Sequence, residues 1–215
     1  MLVDLALNEK VALIIGRGSE VEIRARQLLA EYARVSVLTD PTTGKQLGSS
    51  SIGTRLNINS HGLARWRQIL KNNQALFLTV ISTGDSNLDE EIAQIARGVS
   101  KLVYVVDRPH LNDLNMTGVA KLGDIRVAIS TGGLSPAMAG VLRRKIESLI
   151  EPEDILQVKL QGGIRTALKK SIEDPARRKK VVYKLIRDKK ISSMLQSSKY
   201  EEARERALGL IAEFR

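Results

Sequence analysis

The sequence contains no cysteine. Disulfides, thiolate nucleophiles and cysteine-held zinc or iron–sulfur sites are therefore excluded, and any catalysis has to use other groups. The sequence also lacks an apolar run that approaches the roughly 20 residues needed to span a bilayer. Residues 1–8 are too short and too acidic for a signal peptide. We therefore expect a cytoplasmic protein that does not associate with membranes.

Aromatic residues are scarce, at 3% of the chain, although the net charge is +10 at pH 7. A field of one sign attracts anionic ligands, and nucleic acid is the usual one. The sequence shows neither a set of aromatic residues for base stacking nor the spacing of a zinc finger. We therefore expect no nucleic-acid partner. The charge indicates a phosphate or polycarboxylate ligand, or a solvated basic surface on the helices of the tail.

Hydrophobic residues make up 43% of the chain and charged residues 27%, as in an ordinary globular protein. Short apolar runs predict buried strands, and segments with helical spacing follow them. The predicted strands cover 10–15, 35–38, 75–81 and 101–106, and the predicted helices cover 20–32, 61–71 and 88–99. This alternation predicts an α/β fold, a Rossmann-like doubly wound parallel sheet. We interpret residues 42–53 as a loop.

The pattern changes after Arg126. Residues 127–129 form a short predicted strand, 130–135 a polar glycine turn, and 136–149 a helix that Ser135 caps. Beyond Glu151 the spacing is helical throughout and rich in Lys and Arg. We expect this tail to be a separate helical unit, and we place breaks in it at Gly162, Gly163 and Pro175.

A G-x-G turn joins the first predicted strand to the first predicted helix. Glycines there let the backbone approach a pyrophosphate, which the start of the helix then stabilises. Val21 stands where the common fingerprint has its third glycine, and a tight structural turn is the alternative interpretation. The predicted cofactor-binding residues of this segment are Gly16, Arg17, Gly18, Ser19, Glu20 and Val21.

Asp40 lies at the end of the second predicted strand, about 20 residues beyond the glycines, where an acidic side chain accepts hydrogen bonds from ribose hydroxyls. This position favours NAD over NADP as the cofactor, and we include the adjacent Pro41 in the predicted site. Arg17 and Lys45 are the alternative, because they would serve a 2′-phosphate.

A second polar turn follows a later strand, at the edge where open α/β sheets bind ligands. It consists of Ser82, Thr83, Gly84 and Asp85, which we expect to line the cofactor crevice. For Asp85 the alternative interpretation is a helix cap.

The order of strands, helices and polar turns described above continues with the segments Val103–Asp107 and Ile129–Pro136. Together these features resemble the precorrin-2 dehydrogenase and sirohydrochlorin ferrochelatase family. The segment Ser-Thr-Gly-Gly-x-Ser-Pro is its most specific part, and the resemblance covers roughly residues 8–150, with a looser match in the tail. The resemblance implies oxidation of precorrin-2 to sirohydrochlorin with NAD and, as in some members, insertion of ferrous iron. The substrate carries many carboxylates, which agrees with the positive charge.

The resemblance also implies roles for two residues. Asp107, after a Val-Val strand, would be the catalytic base, and Ser135 would contact the tetrapyrrole substrate. A turn residue and a helix cap are the respective alternatives, and we predict no bound metal. The turn at Gly16 departs from the consecutive glycines that are usual in the family, so iron insertion and the identity of the tetrapyrrole stay open.

We therefore predict three parts: an NAD-binding domain over 1–108, a dimerisation segment over 109–149 and a basic helical domain over 150–215. The resemblance implies a homodimer that pairs through the middle segment. Two alternative functions stay open. One is an NAD-dependent oxidoreductase of another substrate, and the other is a non-catalytic protein that binds a nucleotide or a tetrapyrrole.

Overall fold

The computed structural model describes residues 2–39, 52–55, 63–72 and 75–214. The chain divides into two compact units, and the boundary lies between Met116 and Thr117. The first unit holds a parallel sheet with helices on its faces, and the second holds a β-hairpin followed by helices. Among the described residues, no helix is long and apolar enough to cross a membrane.

In its described residues the first unit contains five parallel strands, in the order β3-β2-β1-β4-β5. The predicted α/β fold with a parallel sheet is confirmed. The elements are β1 Val11–Gly16, α1 Ser19–Ala30, β2 Arg34–Thr39, β3 Ile52–Arg55, α2 Leu63–Asn72, β4 Leu76–Ser82, α3 Ser86–Ala96 and β5 Leu102–Val105, followed by a 3₁₀ turn at Pro109–Leu111.

The central strand β1 is buried on both faces, which explains its continuous apolar sequence. Leu13 and Ile15 pack on the face that α2 and α3 cover, together with Trp66. Ala12 and Ile14 pack on the opposite face, which α1 covers. Because successive side chains of β1 point to opposite faces of the sheet, this one apolar run contributes to the core on each face.

The interpretation of residues 42–53 as a loop is wrong in part, because β3 begins at Ile52 and pairs in parallel with β2. The segment Ile52-Gly53-Thr54-Arg55 has neither apolar alternation nor a β-branched run, so no side-chain pattern indicated a strand. Backbone pairing with residues 36–39 forms it instead.

The edge strand β5 is covered by the segment that follows it. The backbone N–H of Val105 donates to the side chain of Asn112 at 2.6 Å, and that of Val103 donates to the carboxylate of Asp113 at 2.8 Å. Unpaired edge groups invite association with other chains, and these side chains satisfy them. Residues 109–116, which we predicted as the start of the dimerisation segment, thus belong to the first unit. The dimerisation role of 109–149 stays a prediction.

The second unit begins with an antiparallel hairpin. Its elements are β6 Gly118–Leu122, β7 Ile125–Ile129, α4 Pro136–Leu149, α5 Pro152–Ser171, α6 Pro175–Ile186, α7 Lys189–Gln196 and α8 Tyr200–Ala212. The predicted helix at 136–149 and the helical tail are confirmed. Strand β6 was not predicted from the sequence, although Gly123, at φ 57°, and Asp124 form a two-residue turn between β6 and β7.

The predicted break at Gly162 and Gly163 is wrong, because α5 continues through both residues. Its buried stripe, which includes Leu160 and Ile164, packs in the core of the second unit, and tertiary packing overrides the weak helix propensity of glycine. Gly163 also leaves room for Tyr200, since an added Cβ would lie 3.1 Å from the Tyr200 hydroxyl. The predicted break at Pro175 is confirmed: α6 begins there.

Candidate functional site

The site predicted from the glycine turn lies at the carboxyl ends of β1 and β4. The chain runs from β1 to β2 on one side and later returns to β4 on the other, so the strand order reverses between these neighbours. Open α/β sheets bind ligands at such a reversal. Gly16 at the end of β1 pairs in register with Ser82 at the end of β4, so the two polar turns are adjacent.

Gly16 is required by the close approach of these two turns. A Cβ added to it would lie 2.1 Å from the carbonyl oxygen of Ser82, a distance that real Cβ atoms do not show. The same carbonyl accepts a hydrogen bond from the backbone N–H of Arg17 at 3.0 Å. The glycine therefore holds the turn after β1 against the turn after β4.

Gly18 leaves the start of α1 open. It precedes the helix with φ 85° and ψ −171°, a conformation accessible essentially to glycine alone, and no side chain among the described residues caps α1 there. The first N–H groups of a helix have no partner within the helix and attract anions. Gly18 and Ser19 are exposed. This end of α1 fits the pyrophosphate of a dinucleotide.

Arg17 links the two turns through its side chain. Its Nε donates to the carbonyl of Thr83 at 2.7 Å, and the guanidinium passes over Gly84, where an added Cβ would lie 3.5 Å from Nε. One donor is used in this bond, and a guanidinium carries five. The arrangement places a fixed positive charge beside the open end of α1.

The side chain of Thr83 is buried and holds its own turn together. Its hydroxyl donates to Asp89 Oδ1 at 2.7 Å, and its backbone N–H donates to the same oxygen at 2.9 Å. Thr83 therefore positions the turn, and it does not present its side chain to the crevice. Sequence reasoning missed Asp89, for which the available signal was an acidic residue in the first turn of the helix that follows.

Asp85 caps α3. Its carboxylate accepts hydrogen bonds from the backbone N–H groups of Asn87 at 2.9 Å and Leu88 at 3.2 Å. These contacts correspond to the alternative interpretation of Asp85, and a contact with the cofactor stays a prediction for this residue.

The remaining predicted cofactor residues fall into three situations. The side chain of Val21 is 3% exposed and packs in the core under the turn. Glu20 forms a salt bridge with Arg24 at 3.0 Å. Asp40 and Pro41 lie outside the described residues, so their predicted roles stay predictions.

Asp107 lies just beyond β5 and is exposed. Its backbone has φ 58°, in the left-handed region that non-glycine residues rarely adopt. Strained conformations of this kind cluster at functional sites, because a functional demand is one reason for them to persist. The left-handed backbone of Asp107 is therefore compatible with a functional role as well as with a turn.

Tyr104, on β5, is a neighbour of this region that sequence reasoning missed. Its side chain is mostly buried, and the guanidinium of Arg24 lies over its ring at 5.6 Å from the centroid. Burial raises the pKa of the Tyr104 hydroxyl above its usual value; the Arg24 charge opposes this, and the charges of Glu20 and Asp107 add to it. The tyrosine therefore stays neutral at physiological pH.

Ser135 caps α4 in the second unit. Its hydroxyl accepts a hydrogen bond from the backbone N–H of Met138 at 3.2 Å, which confirms the predicted cap. Thr131 closes the turn by donating to the Ser135 carbonyl at 3.1 Å. Within the parts of the chain that the structure describes, no group of three or more His, Asp or Glu residues is arranged to hold a metal ion.

Comparisons with known proteins match two segments of the chain to family models. Residues 3–117 match a family described as putative NAD(P)-binding, and residues 123–149 match one described as the central part of a sirohaem biosynthesis protein. The two segments correspond to the sheet with its turns and to β7 with α4.

Two curated proteins illustrate the relationship. A precorrin-2 dehydrogenase of Methanosarcina barkeri is 33% identical over 138 residues, which cover 64% of this chain and 60% of that protein. A siroheme synthase of Tolumonas auensis is 24% identical over 199 residues, which cover 93% of this chain and 41% of that protein. The matches thus span less than two thirds of either relative.

A solved structure of SirC, a precorrin-2 dehydrogenase, has the same fold. The two structures superpose with a TM-score of 0.70 over 96% of this chain and 99% of the other, at 16% sequence identity. At this identity the comparison concerns the arrangement of the backbone.

Proposed function

Because this chain belongs to the putative NAD(P)-binding family, we propose that it oxidises precorrin-2 to sirohydrochlorin with NAD, as a step of sirohaem biosynthesis. The observation that carries the proposal is the combination, in one chain, of the nucleotide-binding segment with the sirohaem-specific segment that contains Ser135. The same activity is named for the M. barkeri relative.

The dinucleotide would lie across the two turns of the first unit. Gly16 and Gly18 let its pyrophosphate approach the backbone, the open N–H groups of α1 bind the phosphates, and Arg17 adds a positive charge. Asp40 would accept the ribose hydroxyls and repel a 2′-phosphate, which favours NAD over NADP. When bound, the nicotinamide supplies the acceptor for the hydride that leaves the substrate.

Asp107 would take the proton that leaves with the hydride. Conversion of precorrin-2 to sirohydrochlorin removes two electrons and two protons in total, so one proton has to go to a base. The Asp107 carboxylate is exposed beyond β5, the strand next to β4 in the sheet. A carboxylate in this position acts as a general base when the reacting C–H or N–H group lies within hydrogen-bond reach. Ser135 would contact the tetrapyrrole.

The proposal includes a homodimer. The surface of α4 and the turn before it expose large apolar side chains, among them Leu134 at 92% and Leu149 at 77% exposure. Exposed apolar groups of this size favour an interface between proteins. Sedimentation of the purified chain tests this part of the proposal separately from the reaction.

The test of the reaction is anaerobic incubation of the purified protein with precorrin-2 and NAD. We expect reduced nicotinamide and sirohydrochlorin to form in equimolar amounts, which their absorption spectra measure. Without NAD we expect no reaction. Binding of both ligands without turnover would instead support a sensing protein, and turnover of a small acid without tetrapyrrole would support another oxidoreductase. Addition of ferrous iron to the same mixture tests the iron insertion implied for some family members.

A further inference from the structure

Helix α6 carries a row of cations that have no carboxylate partner among the described residues. Several arginines on other helices are paired with carboxylates, as in Arg24 with Glu20 and Arg143 with Glu147. The exposed cations of α6 form no such salt bridge. They are Arg177, Lys179, Lys180, Lys184 and Arg187, which together we call the α6 cationic face.

Two hollows flank this face, with volumes of about 540 and 1060 Å³. Lys180 and Lys184 line both of them. Each hollow also has an aromatic wall: Lys184 Nζ lies 4.7 Å from the ring centre of Phe214, and the Arg187 guanidinium lies 5.8 Å from that of Tyr183. The hollows thus combine positive charge with flat apolar surface.

The two carboxylates at the rims of the hollows are committed elsewhere. Asp174 accepts hydrogen bonds from the backbone N–H groups of Ala176 and Arg177. Asp188 accepts from two N–H groups of α7 and binds Arg206 at 3.0 and 2.7 Å. Neither acid forms a salt bridge with the α6 cationic face, so its cations can pair with a ligand.

We propose that the α6 cationic face binds the carboxylates of the tetrapyrrole, with its ring against the aromatic walls. The inference rests on the proposed function for the identity of this ligand. Arg177 and Arg187 are ten residues apart, or about 15 Å along the helix at 1.5 Å per residue, a span comparable to a macrocycle with its charged arms. Cations distributed around an aromatic surface complement a ring with carboxylates on its periphery. A nucleic acid would offer phosphates along a line and is the competing anion.

The test uses uroporphyrin, a stable ring compound with eight carboxylates, as the probe. Its binding to the full chain is followed by fluorescence for the native protein and for the double variant Lys180→Glu with Lys184→Glu. We expect affinity to fall about tenfold or more, since two attractive contacts become repulsive. The matched control is Lys169→Glu with Lys170→Glu on α5, which changes the net charge equally and should bind almost as the native chain does.

Two further arms make the result specific. Lys180→Arg with Lys184→Arg keeps the charge and should retain binding, and circular dichroism of every variant verifies folding. Porphyrins with four and two carboxylates should bind progressively more weakly. Equal loss in the α5 control, or displacement of uroporphyrin by a short DNA duplex at physiological salt, would overturn the proposal.

The turnover assay separates this inference from the proposed function. If precorrin-2 is oxidised and uroporphyrin binding is insensitive to the α6 substitutions, the α6 site is wrong and the function stands. If precorrin-2 is not oxidised but uroporphyrin binding depends on Lys180 and Lys184, the reaction is wrong and the binding face stands.

Discussion

The two helices that begin at the carboxyl edge of β1 and β4 start in opposite ways. α1 follows Gly18, which has no side chain to cap it, whereas α3 follows Asp85, whose carboxylate binds two of its first N–H groups. Both helices follow central strands, so the topology brings both to the ligand-binding edge. The start of α3 is therefore capped by a carboxylate of the chain itself, whereas the start of α1 has no side-chain cap and is open to an external anion.

The largest expected effect concerns the reaction at this edge. Asp107→Asn should lower the rate of precorrin-2 oxidation by about 10² to 10⁴-fold, because loss of a positioned general base has that cost. The affinity for NAD should stay unchanged, since the open start of α1 is intact. Single-turnover kinetics and calorimetric titration measure the two quantities.

Asparagine is the informative replacement because it tolerates the left-handed backbone that Asp107 adopts. Asp107→Ala, which lacks this tolerance, serves as the comparison for folding. Near-native turnover in the Asn variant would identify Asp107 as a turn residue, and the base would then have to be another group.

The next effect concerns the contact between the two turns. Gly16→Ala places a methyl group 2.1 Å from the Ser82 carbonyl, so β1 and β4 have to separate. Overpacking costs about 1–3 kcal/mol, occasionally more, and 1 kcal/mol lowers Tm by roughly 2–4 °C at this chain length. Scanning calorimetry gives the shift, and NAD affinity should fall with it.

Gly162→Ala is the matched control, because nothing in the structure lies within 4 Å of a Cβ there and the residue is in the interior of α5. This variant should be as stable as the native chain or more stable by about 0.5–1 kcal/mol. A Gly16→Ala protein with native stability would contradict the close approach described above.

A smaller effect should follow at the closed helix start. Asp85→Ala removes the α3 cap and should cost about 1 kcal/mol of stability, measured by urea unfolding. If Asp85 is a cap alone, NAD affinity stays native. A clear loss of NAD affinity at native stability would instead support the predicted contact between Asp85 and the cofactor.

The smallest effect is a pH dependence at another capped helix start, that of α7. Asp188 caps α7, and its bonds with Arg206 lower the pKa of its carboxyl to about 2. A lowered folded-state pKa stabilises the protein above the ordinary value of about 4, and this stabilisation is lost as the pH falls from there toward 2. Asp188→Asn should therefore be less stable than the native chain near pH 6, and the difference should shrink as the pH falls from about 4 toward 2, as measured by urea unfolding. A constant difference across this range would contradict the assignment.

Local signals were sufficient for much of the architecture. The apolar run of β1 and the Ser135-Pro136 start of α4 each carry their determinant within a few neighbouring residues, and both are where the sequence predicted them. The Gly16 turn also has a local pattern, although the 2.1 Å contact that requires glycine comes from Ser82, 66 residues away.

Features decided by distant partners were missed. Strand β3 forms through pairing with β2. The buried hydrogen bond between Thr83 and Asp89 requires α3 to be folded, so the role of Asp89 depends on that helix. Helix α5 passes through two glycines because its core partners stabilise it. In each case the deciding energy is tertiary, and propensity or spacing alone does not contain it.

Whether the open start of α1 is the anion site is tested most directly by NMR, from the backbone amide signals recorded with and without NAD. We expect NAD to shift the amide signals of Ser19, Glu20 and Val21 at the open start of α1, while those of Asn87 and Leu88 at the capped start of α3 stay almost unchanged. Shifts confined to α3, or equal shifts at both helices, would contradict the assignment of α1 as the anion site.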